Sequence, residues 1–344
     1  MPVVITHDTS IDYDIYGEGP TLLLISGLGF GRWGWFKQVP TLSRHFRTIT
    51  FDIRGEQNLA HGVADLCAEV VALLDHLGVL KAHVLGTSLG GFVAQELALE
   101  RPDLVDRLIL VCTSYGGVGP EPMSFEALGK MLGWGSLSSE SAVRQGLEAA
   151  TSDAYRAQNP DEFDLIMHWR LADSPSLSEY SQQIMAGARF DASRNVGEIT
   201  SPTLVIHGTD DRYVPLANAA ALAEAIPNAK LRILDGAGHL VFIEQAKEVN
   251  KEIISFLKPR KPRKRTTRRP RPRQRTNWLI QRTGETNRKV ISVLKPRKQK
   301  KRRTRKPLQK AKQAPTLEKL KGWLRRSSRI PGDWTRKLRS RFSR

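Results

Sequence analysis

AHVLGTSLGGFVA, residues 82–94, decides how the rest of the chain is read. A short apolar run enters Gly86-Thr87-Ser88-Leu89-Gly90, and FVAQELALE (92–100) continues with the composition of a helix. Apolar strand, sharp turn and helix form the context in which a G-x-S-x-G serine stands exposed at the tip of a turn. Such a turn forces its central residue into a sparsely populated backbone region. Glycines two before and two after it leave room for neighbouring backbone. Ser88 is therefore the candidate nucleophile. The N–H of Leu89, in the first turn of the helix, is aimed where an oxyanion would develop. The five-residue pattern is weak on its own, because a glycine-rich turn with a structural serine satisfies it equally. Its partners have to be found elsewhere in the chain.

Working outward, TLLLISG (21–27), RTITFDI (47–53), RLILVCTS (107–114), TLVIHG (203–208) and KLRILDG (230–236) are apolar runs of strand length. The most continuous of them suit strands covered on both faces. VVITHD and IDYDIYG, within 3–17, read as a hairpin at the sheet edge. Residues 63–77, 216–226 and 241–257 carry apolar residues at helical period. Strands alternating with helices predict an α/β fold with a mainly parallel sheet flanked by helices. In such sheets the site lies outside the carboxyl ends of the strands.

Residues 116–200 break the alternation with helical stretches: SFEALGKMLG, SAVRQGLEAATS, DEFDLIMHWRLA and LSEYSQQIMAGARF. A helical insertion of that length between two buried strands is expected to cover the site as a lid. Phe125, Met131, Trp134, Met167, His168, Trp169 and Met185 are the lid residues expected to shape a pocket, the alternative being packing within the lid itself.

The net charge of +19 over 344 residues is unevenly spread. Residues 258–344 hold 35 of the 54 Lys and Arg residues and 3 of the 35 acids, which leaves an acidic body at 1–257. The body is long enough to bury a sizeable core. The tail is poor in Leu, Ile, Val and Phe and rich in Lys, Arg, Pro and Thr, a composition expected to be largely disordered. A phosphate-rich partner is the first expectation for it: nucleic acid, bound without sequence preference through counterion release. The second is an anionic membrane surface. Leu317, Leu320, Trp323 and Leu324, and then Trp334, Leu338 and Phe342, fall at the spacing of short basic amphipathic helices. The third is that the tail has no partner.

Cys67 and Cys112 show neither metal spacing nor a C-x-x-C pair and read as buried small hydrophobes. The N-terminus has no basic segment followed by an apolar core, and no apolar run approaches the ~20 residues of a bilayer span. These features together suit a cytoplasmic protein.

A serine hydroxyl needs a base, and the base needs an orienting carboxylate. GTDDRYVP (208–215) follows one strand and GAGH (236–239) follows the next, so their acids and His239 lie in loops at strand carboxyl ends. By position alone, Asp210 and Asp211 are both candidates for the acid. The chain order is serine, acid, histidine. His83 and His207 lie within strands and read as core residues. His7, His45, His61, His76 and His168 lack ligand spacing, so no metal and no cofactor is assigned.

SGLG (26–29), DIRG (52–55), GTSLGG (86–91), HGTDDRYVP (207–215) and GAGH (236–239), in that order, resemble the α/β-hydrolase fold family across residues 1–257. The resemblance implies Ser88 as nucleophile and His239 as general base and acid. The family's G-x-x-D-x-x-V-P pattern points to Asp211, leaving Asp210 to cap the turn. The N–H groups of Leu28 and Leu89 would form the oxyanion hole. ELALERPDLVDRLILVCTSYGG (96–117) is similar to the 3-oxoadipate enol-lactonase-like group and to the cofactor-free esterases.

The implied activity is cleavage of a small ester or lactone through an acyl-enzyme. Carbon–carbon bond hydrolysis or cofactor-free perhydrolysis on the same triad, and a non-catalytic ligand-binding protein, stand as alternatives. Serine at the nucleophile position argues against a dehalogenase, whose group carries aspartate there. Two departures bear on the pocket: Ser26 stands where the family usually has His, and Glu56-Gln57-Asn58 where it usually continues Gly-x-Ser.

Overall fold

The computed structural model describes residues 3–5, 10–52, 62–117, 119, 121–136 and 140–258, and of 3–5 and 134–136 the backbone alone. The basic tail beyond Lys258, the loop holding Glu56-Gln57-Asn58 and the side chain of Trp134 lie outside the described residues.

Eight strands form one sheet: β1 (Val3–Ile5), β2 (Ser10–Tyr16), β3 (Thr21–Ile25), β4 (Arg47–Phe51), β5 (Ala82–Thr87), β6 (Val105–Val111), β7 (Thr203–Gly208) and β8 (Lys230–Leu234). Their order is β1-β2-β4-β3-β5-β6-β7-β8. The β1–β2 and β2–β4 pairs are antiparallel and all the others parallel. β5, whose six residues are all buried, lies near the middle, and Ser88 follows it directly. β8 is the far edge and leaves Leu231 and Ile233 partly exposed, with Lys230 and Arg232 along it. Charged side chains on an edge strand discourage pairing with another chain.

Alternate strand residues serve two apolar layers, as the period of two requires. Leu23 and Ile25 share a cluster with residues of α2 (Val63–His76), α3 (Leu89–Glu100) and α9 (Leu216–Ala225). Leu22 and Leu24 share the other with Leu42 of α1 (Val39–Leu42) and with Val249, Ile253 and Leu257 of α11 (Ala246–Leu257). Both cysteines are free and buried, as the sequence suggests.

The insertion between β6 and β7 holds five helices among the described residues: α4 (Phe125–Ser136), α5 (Glu140–Ala150), α6 (Asp153–Gln158), α7 (Pro160–Ala172) and α8 (Leu177–Arg189). Its neck is closed by backbone: Gly117 N–H donates to Phe190 O and Ala192 N–H to Tyr115 O, each at 2.8 Å. The excursion therefore ends near residue 191, and the chain returns to β7 through a 3-10 turn at Val196–Glu198. Serine caps fix two lid turns, with Ser152 accepting from Tyr155 N–H and Ser176 forming a capping box with Glu179.

One sequence expectation is corrected. Residues 241–257 are two helices, α10 (Val241–Glu244) and α11, broken at Gln245 with φ −118° and ψ 42°. The physical reason lies in the two halves' surroundings. Val241, Phe242 and Ile243 are buried all round, whereas α11 has one buried and one exposed face. Gln245 fixes the break by donating from Nε2 to Asp235 O at 2.7 Å. Among the described residues no helix is long and apolar enough to cross a membrane.

Candidate active site

Ser88 sits between β5 and α3 at φ 51° and ψ −120°. Strain of this kind costs on the order of 1–3 kcal/mol and persists only where the surroundings impose it. They do: Ser88 N–H donates to Val111 O and Thr113 Oγ1 donates to Ser88 O, both at 2.9 Å. The flanking glycines are required by contact. A Cβ on Gly86 would lie 2.1 Å from Gly90 O, and one on Gly90 would lie 2.3 Å from Ile25 O.

Asp211 and His239 meet from the loops after β7 and β8. His239 Nδ1 lies 2.8 Å from Asp211 Oδ2 and 3.0 Å from Oδ1. Asp211 Oδ1 also accepts from Tyr213 N–H and Val214 N–H, each at 2.9 Å. Burial works against the charged carboxylate. The neighbouring His239 and His207, with the hydrogen bonds from His239 and Val214, outweigh it and hold Asp211 below its ordinary range. An ionised carboxylate only accepts, so the Nδ1 position of His239 carries a proton. The ring of Tyr213 packs edge-on against His239 at 5.3 Å.

Asp210, the other acid of the pair, is exposed and accepts from Thr209 Oγ1 at 3.0 Å. His207 is a core residue: Nε2 lies 2.8 Å from Val214 O and 3.4 Å from Asp211 Oδ2. Burial lowers its pKa, so it supports the Asp211 loop as a neutral ring.

Glu244 of α10 is a supporting residue with no sequence signal. Its carboxylate accepts from Gly238 N–H at 3.1 Å, beside His239, and from Ser152 Oγ at 2.7 Å, at the base of α6. It ties the histidine loop to the lid. Ligand atoms of Cys112, His207 and Asp211 lie within 4.8 Å of one another. That cluster suits hydrogen bonding better than a cation. Burial keeps the Cys112 thiol protonated, and Asp211 and His207 are engaged as described.

The loop after β3 forms the other wall. Phe30 N–H donates to Gly27 O at 3.1 Å, closing a turn with Leu28 and Gly29 at its centre. Gly29 has φ 69°, the sign a type II turn demands at its third position. Arg32 anchors the far end through Nε to Asp52 at 2.9 Å and through Nη1 to Asp14 at 2.8 Å. Ser26, at the family's histidine position, is buried.

A partly open cavity lies against these groups. Ser88, Thr87 and His239 line it with Gly27 and Leu28, and its remaining walls are Phe30, Met123, Met131, Tyr213, Val214, Leu240 and Phe242. Ser88 and His239 therefore face one space, with Asp211 behind the histidine. Leu28 borders that space, and Leu89 opens α3 beside Ser88.

The lid expectations are corrected in part. Met131 lines the cavity, but Phe125 is 94% exposed and Met185 43%. Met167 is buried, Trp169 packs edge-on against Phe36 of the body, and His168 is half-buried away from the lining. Met123, just before α4, lines the cavity instead. The reason is helical direction: Met131 and the buried Ala127 share the inner face of α4, Met123 leads into that side, and Phe125 falls on the outer one.

A mainly parallel sheet with a strained serine after a central strand, an Asp–His pair after its last two strands and a helical insertion between β6 and β7 defines the α/β-hydrolase class of enzymes. The chain belongs to the alpha/beta hydrolase family, whose sequence profile matches residues 22–252. It is 30% identical over 266 residues to an Agrobacterium fabrum protein provisionally named carbamate hydrolase RutD, covering 72% of this chain and 98% of that one. It is 31% identical to 2-hydroxy-6-oxononadienedioate/2-hydroxy-6-oxononatrienedioate hydrolase 1 of Pseudomonas putida, over 73% of this chain and 92% of the relative. Among solved structures it is similar to the enol-lactonase from Burkholderia xenovorans LB400. The TM-score is 0.66 and the identity 26%, over 74% of this chain and 99% of that one.

Proposed function

We propose that this enzyme is a serine hydrolase that cleaves a small, largely apolar ester or lactone through an acyl-enzyme. The observation that carries the reading is the hydrogen bond between Asp211 and His239 at the edge of the cavity that Ser88 also lines. Nε2 of His239 takes the proton of Ser88 Oγ as the oxygen attacks the carbonyl carbon. Asp211 holds the ring and stabilises the imidazolium that forms. The N–H groups of Leu28 and Leu89 receive the oxyanion. The imidazolium then protonates the leaving alkoxide, and water hydrolyses the acyl-enzyme by the same steps in reverse roles.

The cavity lining supports the substrate class. Apart from His239 its described side chains are apolar or uncharged. An ester or lactone with an aliphatic or aromatic acyl group can leave water there without stranding a charge. Carbon–carbon cleavage of a dienoic acid, the second reading, asks the site to hold a carboxylate. The described lining offers it no Lys or Arg.

The test is labelling of the full chain with a fluorophosphonate, followed by hydrolysis of a panel of short p-nitrophenyl esters, lactones and dienoic ketones. Labelling that disappears in Ser88→Ala and turnover confined to esters and lactones are the expected results. Turnover of the dienoic ketones alone would select the second reading.

For the tail the proposal is binding to polyanions, supported by its 35 Lys and Arg residues against 3 acids. Nucleic acid and anionic membrane are separated by a gel shift and by flotation with phosphatidylserine vesicles. Loss of either signal at high salt is expected.

A further inference from the structure

The turn that carries Leu28 is held from three directions. β3 fixes its start, and Arg32 fixes its end to Asp14 and Asp52. The apex is held by the lid. Gly29 N–H donates to Oε1 of Gln183, on α8, at 3.0 Å across 154 residues of sequence. The bond is buried, and Gln183 is 5% exposed. α8 also reaches the second proposed oxyanion donor. A Cβ on its Gly187 would lie 3.3 Å from Leu89 Cδ1.

A glycine at the third position of a turn permits the positive φ seen here, but it permits a negative one nearly as readily. The sequence of the turn therefore does not choose which way the peptide between Leu28 and Gly29 points. In the positive-φ arrangement the Gly29 N–H meets an acceptor. With the peptide flipped, the buried Gly29 N–H would turn away from this acceptor, which is unfavourable. The amide of Gln183 must present its oxygen, because the group it meets is a donor.

We infer that Gln183 is a positioning residue for the oxyanion turn: by accepting the Gly29 N–H it ties the apex of the turn to α8 and so holds in place the backbone that carries the Leu28 N–H one peptide earlier. This rests on the serine-hydrolase reading above for the role of Leu28. The lid then has two functions. It walls the cavity through Met123 and Met131, and it makes the oxyanion turn competent only when α8 is seated. An enzyme with the lid displaced would bind its ester and stabilise the tetrahedral intermediate poorly.

The experiment compares Gln183→Leu, which keeps the bulk and removes the acceptor, with Gln183→Glu, which restores an acceptor oxygen. Gln183→Met serves as a second acceptor-free variant should Gln183→Leu fold poorly. Three quantities are read: kcat and KM on p-nitrophenyl acetate, inhibition by benzeneboronic acid, and hydrogen exchange of the peptide spanning Gly27–Gly31.

The acceptor-free variants are expected to lose about tenfold or more in kcat, the scale of a misaimed oxyanion donor, with KM changed less than about twofold. Boronate affinity should fall in parallel, because the tetrahedral adduct uses the same donors, and exchange at Gly29 should quicken. Gln183→Glu should recover most of kcat. Unchanged kcat in the acceptor-free variants overturns the inference. So does a loss of kcat without loss of boronate affinity, or a Gln183→Glu as impaired as Gln183→Leu. Failure of the underlying reading looks different: the wild-type chain would take no fluorophosphonate, or Ser88→Ala would still turn over esters, while hydrogen exchange at Gly29 would still report the contact.

Discussion

Asp211 and His239 face each other through Oδ2 and Nδ1 at 2.8 Å, and the peptide N–H groups of Tyr213 and Val214 close the other side of the carboxylate. The arrangement holds the acid ionised and dictates which ring nitrogen of His239 carries the proton. Asp211→Asn would keep the volume but offer His239 a different partner, leaving the wrong nitrogen protonated part of the time. Its kcat on p-nitrophenyl acetate is expected to fall by about 10³- to 10⁴-fold. Asp210→Asn should stay within about twofold, because the Asp210 carboxylate is exposed and accepts from Thr209 Oγ1 rather than facing His239. Equal loss in the two variants would contradict the assignment.

Ser88 carries the backbone strain and, in the proposed mechanism, the chemistry as well. Ser88→Ala removes the hydroxyl but keeps a Cβ at φ 51°, so stability should change by less than about 0.5 kcal/mol while fluorophosphonate labelling vanishes. Ser88→Gly should be more stable than Ser88→Ala by about 1 kcal/mol, because glycine occupies that region without clash. Thermal melts of the two variants decide it.

Acid should weaken the fold through His207. Its pKa is depressed by burial from an ordinary value of 6.5, so the unfolded chain takes up the proton first. The stability it contributes is full above that value and is lost as the pH falls below it. Asp211, depressed from 3.8, acts in the same sense at lower pH. Urea unfolding between pH 5 and 8 should give a slope that flattens in His207→Gln, which does not titrate, at about the same neutral stability less the bond to Val214 O.

The side chains of Met123 and Met131 bound the cavity from the lid. Truncating Met131 to Ala should enlarge the acyl site and move the preferred p-nitrophenyl ester up by about two or three carbons, each methylene being worth roughly 0.8 kcal/mol of burial. Phe125→Ala, on the outer face of the same helix, should leave the preference unchanged. A kcat/KM series over acyl length compares the two.

Much of this enzyme is local information. The strand runs, the G-x-S-x-G turn and the loops bearing Asp211 and His239 are each set by a handful of adjacent residues, through strand period, glycine steric freedom and turn chemistry. The placing of Ser88, Asp211 and His239 in turns at strand ends could be read from the chain for that reason, and the family pattern singles out the acid, Asp211, that meets His239 and accepts from Tyr213 and Val214. What tertiary structure alone decided is which surfaces meet. An apolar stripe on a lid helix does not say whether a cavity, a neighbouring helix or water faces it, so Phe125 and Met185 read like pocket residues and are exposed, while Met123 went unnoticed. The break at Gln245 depends on a carbonyl ten residues away. The contacts of Glu244 with Gly238 and Ser152, and of Gln183 with Gly29, join segments whose sequences carry no trace of one another. Their specificity lies in burial, where a donor must find an acceptor, and burial exists only once the chain has folded.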